Sequence, residues 1–178
     1  MPVKRTEKHR TKGENMLIYK ILFHIAAAIK KVWLKLIYGN AVVFGKGVTW
    51  RSHFHLAIEP KAKVEIGEHC FFNHDCSISA MQQVTIGANT LFGENVRIYD
   101  HNHRFRQAGG IADQGYTMGA VSIGKNCWIC SNVIILKGTV IEDGCVIGAN
   151  CVVSGHIPAN TLVKIEPAYT MSPIERTS

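Results

Sequence analysis

The chain has 178 residues, 47% of them hydrophobic, and a formal net charge of +7 that sits at one end. Residues 1–40 carry nine Lys and Arg against Glu7 and Glu14, whereas residues 41–178 balance eleven basic against eleven acidic side chains. The basic isoelectric point is therefore no nucleic-acid footprint, and no nucleic-acid recognition motif accompanies it.

Residues 1–40 read as a basic extension holding an amphipathic helix over 16–37. Leu17, Ile18, Ile21, Leu22, Ile25, Ala28, Ile29, Val32, Trp33 and Leu36 follow helical spacing, with Lys20, His24, Lys31 and Lys35 opposite. The longest uncharged run, Ile21 to Ile29, is far shorter than the ~20 apolar residues a bilayer crossing needs, and no clear signal-peptide cleavage site is present. Two roles fit the helix and do not exclude each other. It covers the exposed first turn of a repeat that follows, or it makes peripheral contact with an anionic membrane.

A period of six then takes over. Ile66, Phe72 and Ile78 are six apart, with Val48 and Phe54 as weaker earlier members. Ile86, Phe92 and Ile98 resume the step after a slip of two near Met81 to Gln83, which reads as a bulge at one corner. Ile123, Ile129, Ile135, Ile141, Ile147 and Val153 keep it strictly. Neither a helix (3.6) nor a strand (2) repeats at six, so each hexapeptide is a short strand plus a corner. Three make one coil, and stacked coils bury aliphatic columns as a parallel β-helix. Cys70, Cys76, Cys127, Cys145 and Cys151 each fall four residues after an anchor, a position that faces the interior and suits small side chains. Cys127-x-x-Cys130 lacks the second half of a zinc site, so the thiols read as core packing in a reducing, cytoplasmic compartment.

The register breaks once more. An anchor due at 104 arrives at Ile123, so residues 99–120 form an insertion that opens with Asp100-His101-Asn102-His103. A loop thrown out of a rigid solenoid is a customary place for function.

Ile123-Gly124-Lys125-Asn126-Cys127-Trp128 and Ile147-Gly148-Ala149-Asn150-Cys151-Val152, with the His-bearing insertion, resemble the hexapeptide-repeat acyltransferases. The likeness covers roughly residues 60–168 and is nearest the galactoside/maltose O-acetyltransferase group and the bacterial polysaccharide O-acetyltransferases. It implies an all-β, left-handed parallel β-helix over 41–168, preceded by the extension 1–40 and followed by a tail, 169–178. It also implies a homotrimer with active sites between subunits, and acetyl-CoA as acyl donor without a metal. Asn102-His103-Arg104 matches the family's catalytic motif and makes His103 the general base. Asn73, thirty residues earlier, matches a substrate-binding Asn. Asp100 and His101 stand beside the base, either able to orient it or meet substrate. Trp128, Ser131, Ala149 and Ser154 match positions along the cofactor groove. The family's Thr-Lys-Asp-Ile-Pro is here Ser154-Gly155-His156-Ile157-Pro158, and a C-terminal basic residue is replaced in Pro167-Ala168-Tyr169. Lys164, Lys137 and Arg176 are the candidates to supply the missing cofactor-side charge.

The function these features imply is acetyl transfer to a saccharide hydroxyl in envelope, O-antigen or capsule synthesis, with a lipid-linked acceptor suited to a helix at the inner face of the membrane. Three alternatives compete. Streptogramin- and chloramphenicol-type acetyltransferases also carry Asn-His-Arg. A γ-type carbonic anhydrase would use His69 and His74, but its third histidine has no counterpart here. A scaffold role would leave residues 99–120 without chemistry.

Overall fold

The computed structural model describes residues 12–166. The side chains of Leu17, Ile18 and Lys20, and the expected tail 169–178, lie outside the described residues.

Helix α1, Lys12–Tyr38, is followed by a 3-10 turn, Gly39–Ala41, and then by a three-sided solenoid whose strands run from Val42 to Val163. One face stacks Val42–Phe44, Lys63–Ile66, Gln83–Ile86, Val121–Ile123, Val140–Ile141 and His156–Ile157. A second stacks six strands from Thr49–Trp50 to Leu162–Val163, and a third stacks five from His55–Ile58 to Val152–Val153. Within the faces every pairing is parallel, as a coil that always turns the same way requires. Ile123 pairs Ile86 and Ile141, Ile129 pairs Phe92 and Ile147, and Ile135 pairs Ile98 and Val153. All nine are buried, so the period-six anchors are the core columns. An aromatic column, Trp50, Phe54, Phe72 and Phe92, continues the core toward α1, with the Phe72 and Phe92 rings stacked at 4.3 Å.

The corners explain the Ile-Gly-x-Asn hexapeptide. A Cβ at Gly87 would lie 2.6 Å from the backbone of Gly124 one coil on, so only glycine admits that approach. Two residues later Asn89 and Asn126 sit at φ 59° and 55°, a left-handed conformation that Asn tolerates better than other side chains. Cys70, Cys76, Cys127, Cys145 and Cys151 are buried, as the register predicts, and all six cysteines are free thiols. Burial pushes the Cys76 thiol up to about 11.

One expectation is corrected at the start of the repeat. Val48 and Phe54 are buried but are not anchors. Phe44, Trp50 and Leu56 pair with Ile66, Phe72 and Ile78, which puts Val48 and Phe54 level with Cys70 and Cys76. Valine takes the same inward position at Val96 and Val133, while Phe54 fills it with a ring stacked on Trp50. At the other end Ile141 pairs Ile157 and Ile147 pairs Val163, so the last coil is 16 residues and the register does not continue past Val153. All this irregularity falls at the corner joining the third face to the first. Anchor-to-anchor spacing there runs 10, 8, 25, 6 and 4 residues, against six everywhere else. The insertion leaves from this same corner.

Helix α1 covers the first coil, and it does so with its basic side. Amides of Gly45, Thr49, Arg51 and His55 donate to the second coil, so the alternate carbonyls of Val42, Val48, Phe54 and Leu56 point out of the open end. The Lys35, Lys31 and Lys30 ammoniums donate to Val42, Val48 (2.6 Å) and Phe54, and the Tyr38 hydroxyl donates to Leu56 at 3.0 Å. An edge with unpaired backbone acceptors is thereby satisfied without another strand. Partial burial lowers the affinity of Lys30 and Lys31 for their protons. Among the described residues no helix is long and apolar enough to cross a membrane.

Candidate active site

The insertion is a folded arm. His101–His103 pairs antiparallel with Tyr116–Met118, which sets His103 opposite Tyr116, and Ile111–Gln114 forms a 3-10 turn at the tip. The Gln114 side chain donates to the Gln107 carbonyl and accepts from its amide, both at 2.9 Å, closing the tip as a strand pair would. At the root, Gly119 donates to the Asp100 carbonyl and Gly138 donates to that of Gly119, each at 2.8 Å. The arm is thus fastened to the next coil beside Lys137.

Asp100 is the anchor of this root. It is 0% exposed, and its carboxylate accepts the amides of Met81 (2.8 Å), Gln82 (2.7 Å) and Gln83 (2.8 Å) and faces His101 Nδ1 at 3.0 Å. The two-residue slip near Met81 to Gln83 and the start of the arm are therefore one construction. With its oxygens occupied and no solvent access, Asp100 holds backbone and His101, and in this conformation it presents nothing to a substrate. His101 is largely covered, and its ring meets Tyr116 edge-on at 5.6 Å.

His103 shares the strand face of His101, as residues two apart must. Its ring is exposed and lies 4.5 Å from that of Tyr116. Among the described residues no hydrogen bond holds the imidazole, so the Asp100 carboxylate orients His101 and not His103. His103 opens onto a cleft of about 400 Å³ lined also by Asn102, Arg104, Phe105, Arg106, Gln107, Thr117 and Lys137. Three permanent cations and no carboxylate border it, a composition suited to an anionic ligand. Arg104 stands in the sequence as the last residue of the motif and Arg106 carries no repeat signal, so the sequence does not show that both line one cleft with Lys137. Lys137 was one of three candidates for a cofactor-side charge, and it alone lines the cleft. Lys164 lies at the end of the second face, 3.2 Å from Glu166, and Arg176 lies outside the described residues.

The other predicted residues occupy two different edges. Trp128 is 55% exposed on the second face. Asn73, Ser131 and Ala149 follow second-face strands, at the corner between the second and third faces. There the Asn73 amide donates to Glu94 at 3.2 Å. Ser154 follows the last third-face strand and shares the corner of the arm. His103 and Ser154 thus share one corner, with Ser154 outside the cleft lining, while Asn73, Trp128, Ser131 and Ala149 lie along another edge. His69 and His74 sit on different corners, with His74 Nδ1 2.6 Å from Ser52 Oγ. Among the described residues no group of three or more His, Cys, Asp or Glu is placed to hold a metal ion.

Comparison with known proteins places this architecture. Residues 120–155 match the profile "Bacterial transferase hexapeptide (six repeats)". The chain is 32% identical over 137 residues to an Escherichia coli K12 protein named for O-acetyl transfer in lipopolysaccharide biosynthesis, spanning 72% of this chain and 70% of that one. It is 40% identical over 129 residues to Nodulation protein L of Rhizobium meliloti, spanning 70% and 66%. The crystal structure of a maltose O-acetyltransferase from Clostridium difficile 630 superposes with a TM-score of 0.61 at 28% identity, covering 84% of this chain and 79% of that one. The period-six core, the arm and these likenesses agree, and the chain belongs to the hexapeptide-repeat acetyltransferases.

Proposed function

We propose that this protein transfers an acetyl group from acetyl-CoA to a hydroxyl of a saccharide in the assembly of a cell-envelope or capsular polysaccharide, with His103 as general base. The observation that carries the reading is the placement of His103. It is an exposed imidazole on a braced arm, opening onto a cleft bordered by Arg104, Arg106 and Lys137.

A sugar hydroxyl is a poor nucleophile until its proton has somewhere to go, and imidazole accepts one near neutral pH. His103 takes that proton as the hydroxyl oxygen attacks the thioester carbonyl. The tetrahedral oxyanion then collapses, the C–S bond breaks, and the proton on His103 returns to the departing thiolate. The cations of the cleft suit the phosphates of the donor and stand in for the family's basic residues at the positions of Gly155 and Tyr169. Trp128, Ser131, Ala149 and Lys164 lie on the other edge, so the reading includes a homotrimer in which the arm of one protomer meets the second corner of its neighbour. Asn73 would reach the acceptor from there.

The test is release of CoA thiol from acetyl-CoA in the presence of a panel of nucleotide sugars and lipid-linked glycans, with mass spectrometry of the acceptor. A 42 Da gain on a saccharide supports the reading. Acetylation of chloramphenicol or a streptogramin alone moves it to the xenobiotic branch of the family.

A further inference from the structure

The helix that closes the solenoid is turned the opposite way from a simple cap. A helix whose only task was to cover the apolar end of the core would lay its apolar stripe on it. Here Ala27 and Leu34 pack inward with Phe23 half-buried beside them, and Lys30, Lys31, Lys35 and Tyr38 bond four outward carbonyls. Ile21, Leu22, Ile25, Ile29, Val32, Trp33 and Leu36 are left 50–79% exposed. At 100° per residue these seven fall within an arc of about 120°, and between Ile21 and Ile37 every Lys lies on the other side. A contiguous exposed apolar face of this size marks a docking surface.

Two facts select the occupant. The inner side bonds to carbonyls on the first face, at both following corners and on the third face, so α1 lies across the end of the prism. Its outer side therefore points along the solenoid axis, away from the lateral surfaces where His103, Trp128 and Ser131 sit, and protomers packed side by side leave it uncovered. The second fact is charge. Lys4, Arg5, Lys8, Arg10 and Lys12 precede the apolar stripe, with Glu7 and Glu14 the only acidic residues among the first 40. A basic segment next to a planar apolar face matches the surface of an anionic bilayer, with headgroup phosphates outside and acyl chains beneath.

We propose that the outer side of α1, from Ile21 to Leu36, seats this protein on an anionic phospholipid bilayer, with the solenoid axis standing away from the membrane. The Lys side chains that an ordinary interfacial helix raises toward water are here bonded to the protein's own first coil. The helix is a rigid foot and not a tether. The proposal concerns where the protein sits and does not depend on which acceptor it acetylates.

The experiment is co-sedimentation of the full chain with phosphatidylcholine vesicles and with phosphatidylcholine/phosphatidylglycerol vesicles at low and high salt. Wild type is expected to pellet with the anionic vesicles, with salt weakening the binding. I29E/L36E is expected to lower the partition coefficient at least tenfold while thermal melting and acetyl-CoA turnover in solution stay unchanged. I25S/V32S serves as the second variant if the first does not fold. Absence of pelleting with either vesicle type, or equal pelleting of wild type and variants, overturns the proposal. So does a vesicle-free particle whose mass is halved by I29E/L36E, which would make a second copy of the assembly the occupant.

Discussion

Asp100 and His101 are neighbours in sequence, yet only one of them is wholly enclosed. The carboxylate is fully buried with three backbone amides and faces His101 Nδ1 at 3.0 Å, and His101 in turn packs against the Tyr116 ring that also supports His103. A line of contacts thus leads from the corner at Met81–Gln83 to the imidazole at the mouth of the cleft.

His103→Ala is expected to lower kcat by about 10²–10⁴, the usual contribution of a positioned general base, with no change in melting temperature because the ring is exposed. His101→Ala acts through position, so its loss in kcat should be smaller and accompanied by lower stability. Steady-state thiol release for both variants, together with their thermal melts, separates the roles. The assignment fails if His101→Ala abolishes turnover and His103→Ala does not.

Asp100→Ala would leave the part-buried amides of Met81, Gln82 and Gln83 without their acceptor. An unsatisfied buried donor costs ~1–3 kcal/mol, and these amides are only part-buried, so a loss of about 2–3 kcal/mol is expected. Urea unfolding measures it. The arm should loosen as well, seen as faster hydrogen exchange at the amides of Gly119 and Gly138, which close its root.

The thiols should divide by environment. Burial raises Cys70, Cys76, Cys127 and Cys130, with Cys76 pushed to about 11, and Cys130 differs in being only half-buried, at a corner. Thiolate is the reacting form. Ellman's reagent at pH 7.5 is therefore expected to titrate at most Cys130 quickly in the native protein, and all six cysteines once it is denatured. Rapid reaction of several native thiols would contradict the inward placement.

The last coil carries an acid-sensitive tie. The His156 ring bonds Glu142 at 2.8 Å, and the Ala159 amide adds a second bond at 2.9 Å; in that order they hold Glu142 below the ordinary value of 4.5. A carboxylate depressed in the folded state stabilises it above the unfolded pKa, and that contribution is lost as pH falls through the folded one. Amides of residues 156–163 should therefore exchange faster, relative to their intrinsic rates, once pH drops below about 4.5. Glu142→Gln should remove that dependence.

Much of the solenoid could be read from spacing because its determinants are local. An aliphatic anchor every six residues, Gly where backbones approach and Asn where φ is positive specify one strand and one corner, and repetition stacks them. Residues 99–120 were legible as an interruption, and the Asn102-His103-Arg104 motif singled out one histidine. The cluster of Arg104, Arg106 and Lys137 was not, since 137 joins the others only when the arm folds back onto the next coil.

The sequence by itself determined the period, the inward cysteines, the place of the arm and the amphipathic character of α1, all of which depend on residues within one or two turns of one another. The tertiary structure alone decided which side of α1 faces the protein. That choice depends on four carbonyls that become unpaired only when the first coil has closed, and lysines can answer them where an apolar stripe cannot. It likewise decided that Asp100 serves the backbone of Met81, Gln82 and Gln83, an arrangement that exists only once the third face has brought two successive corners into register.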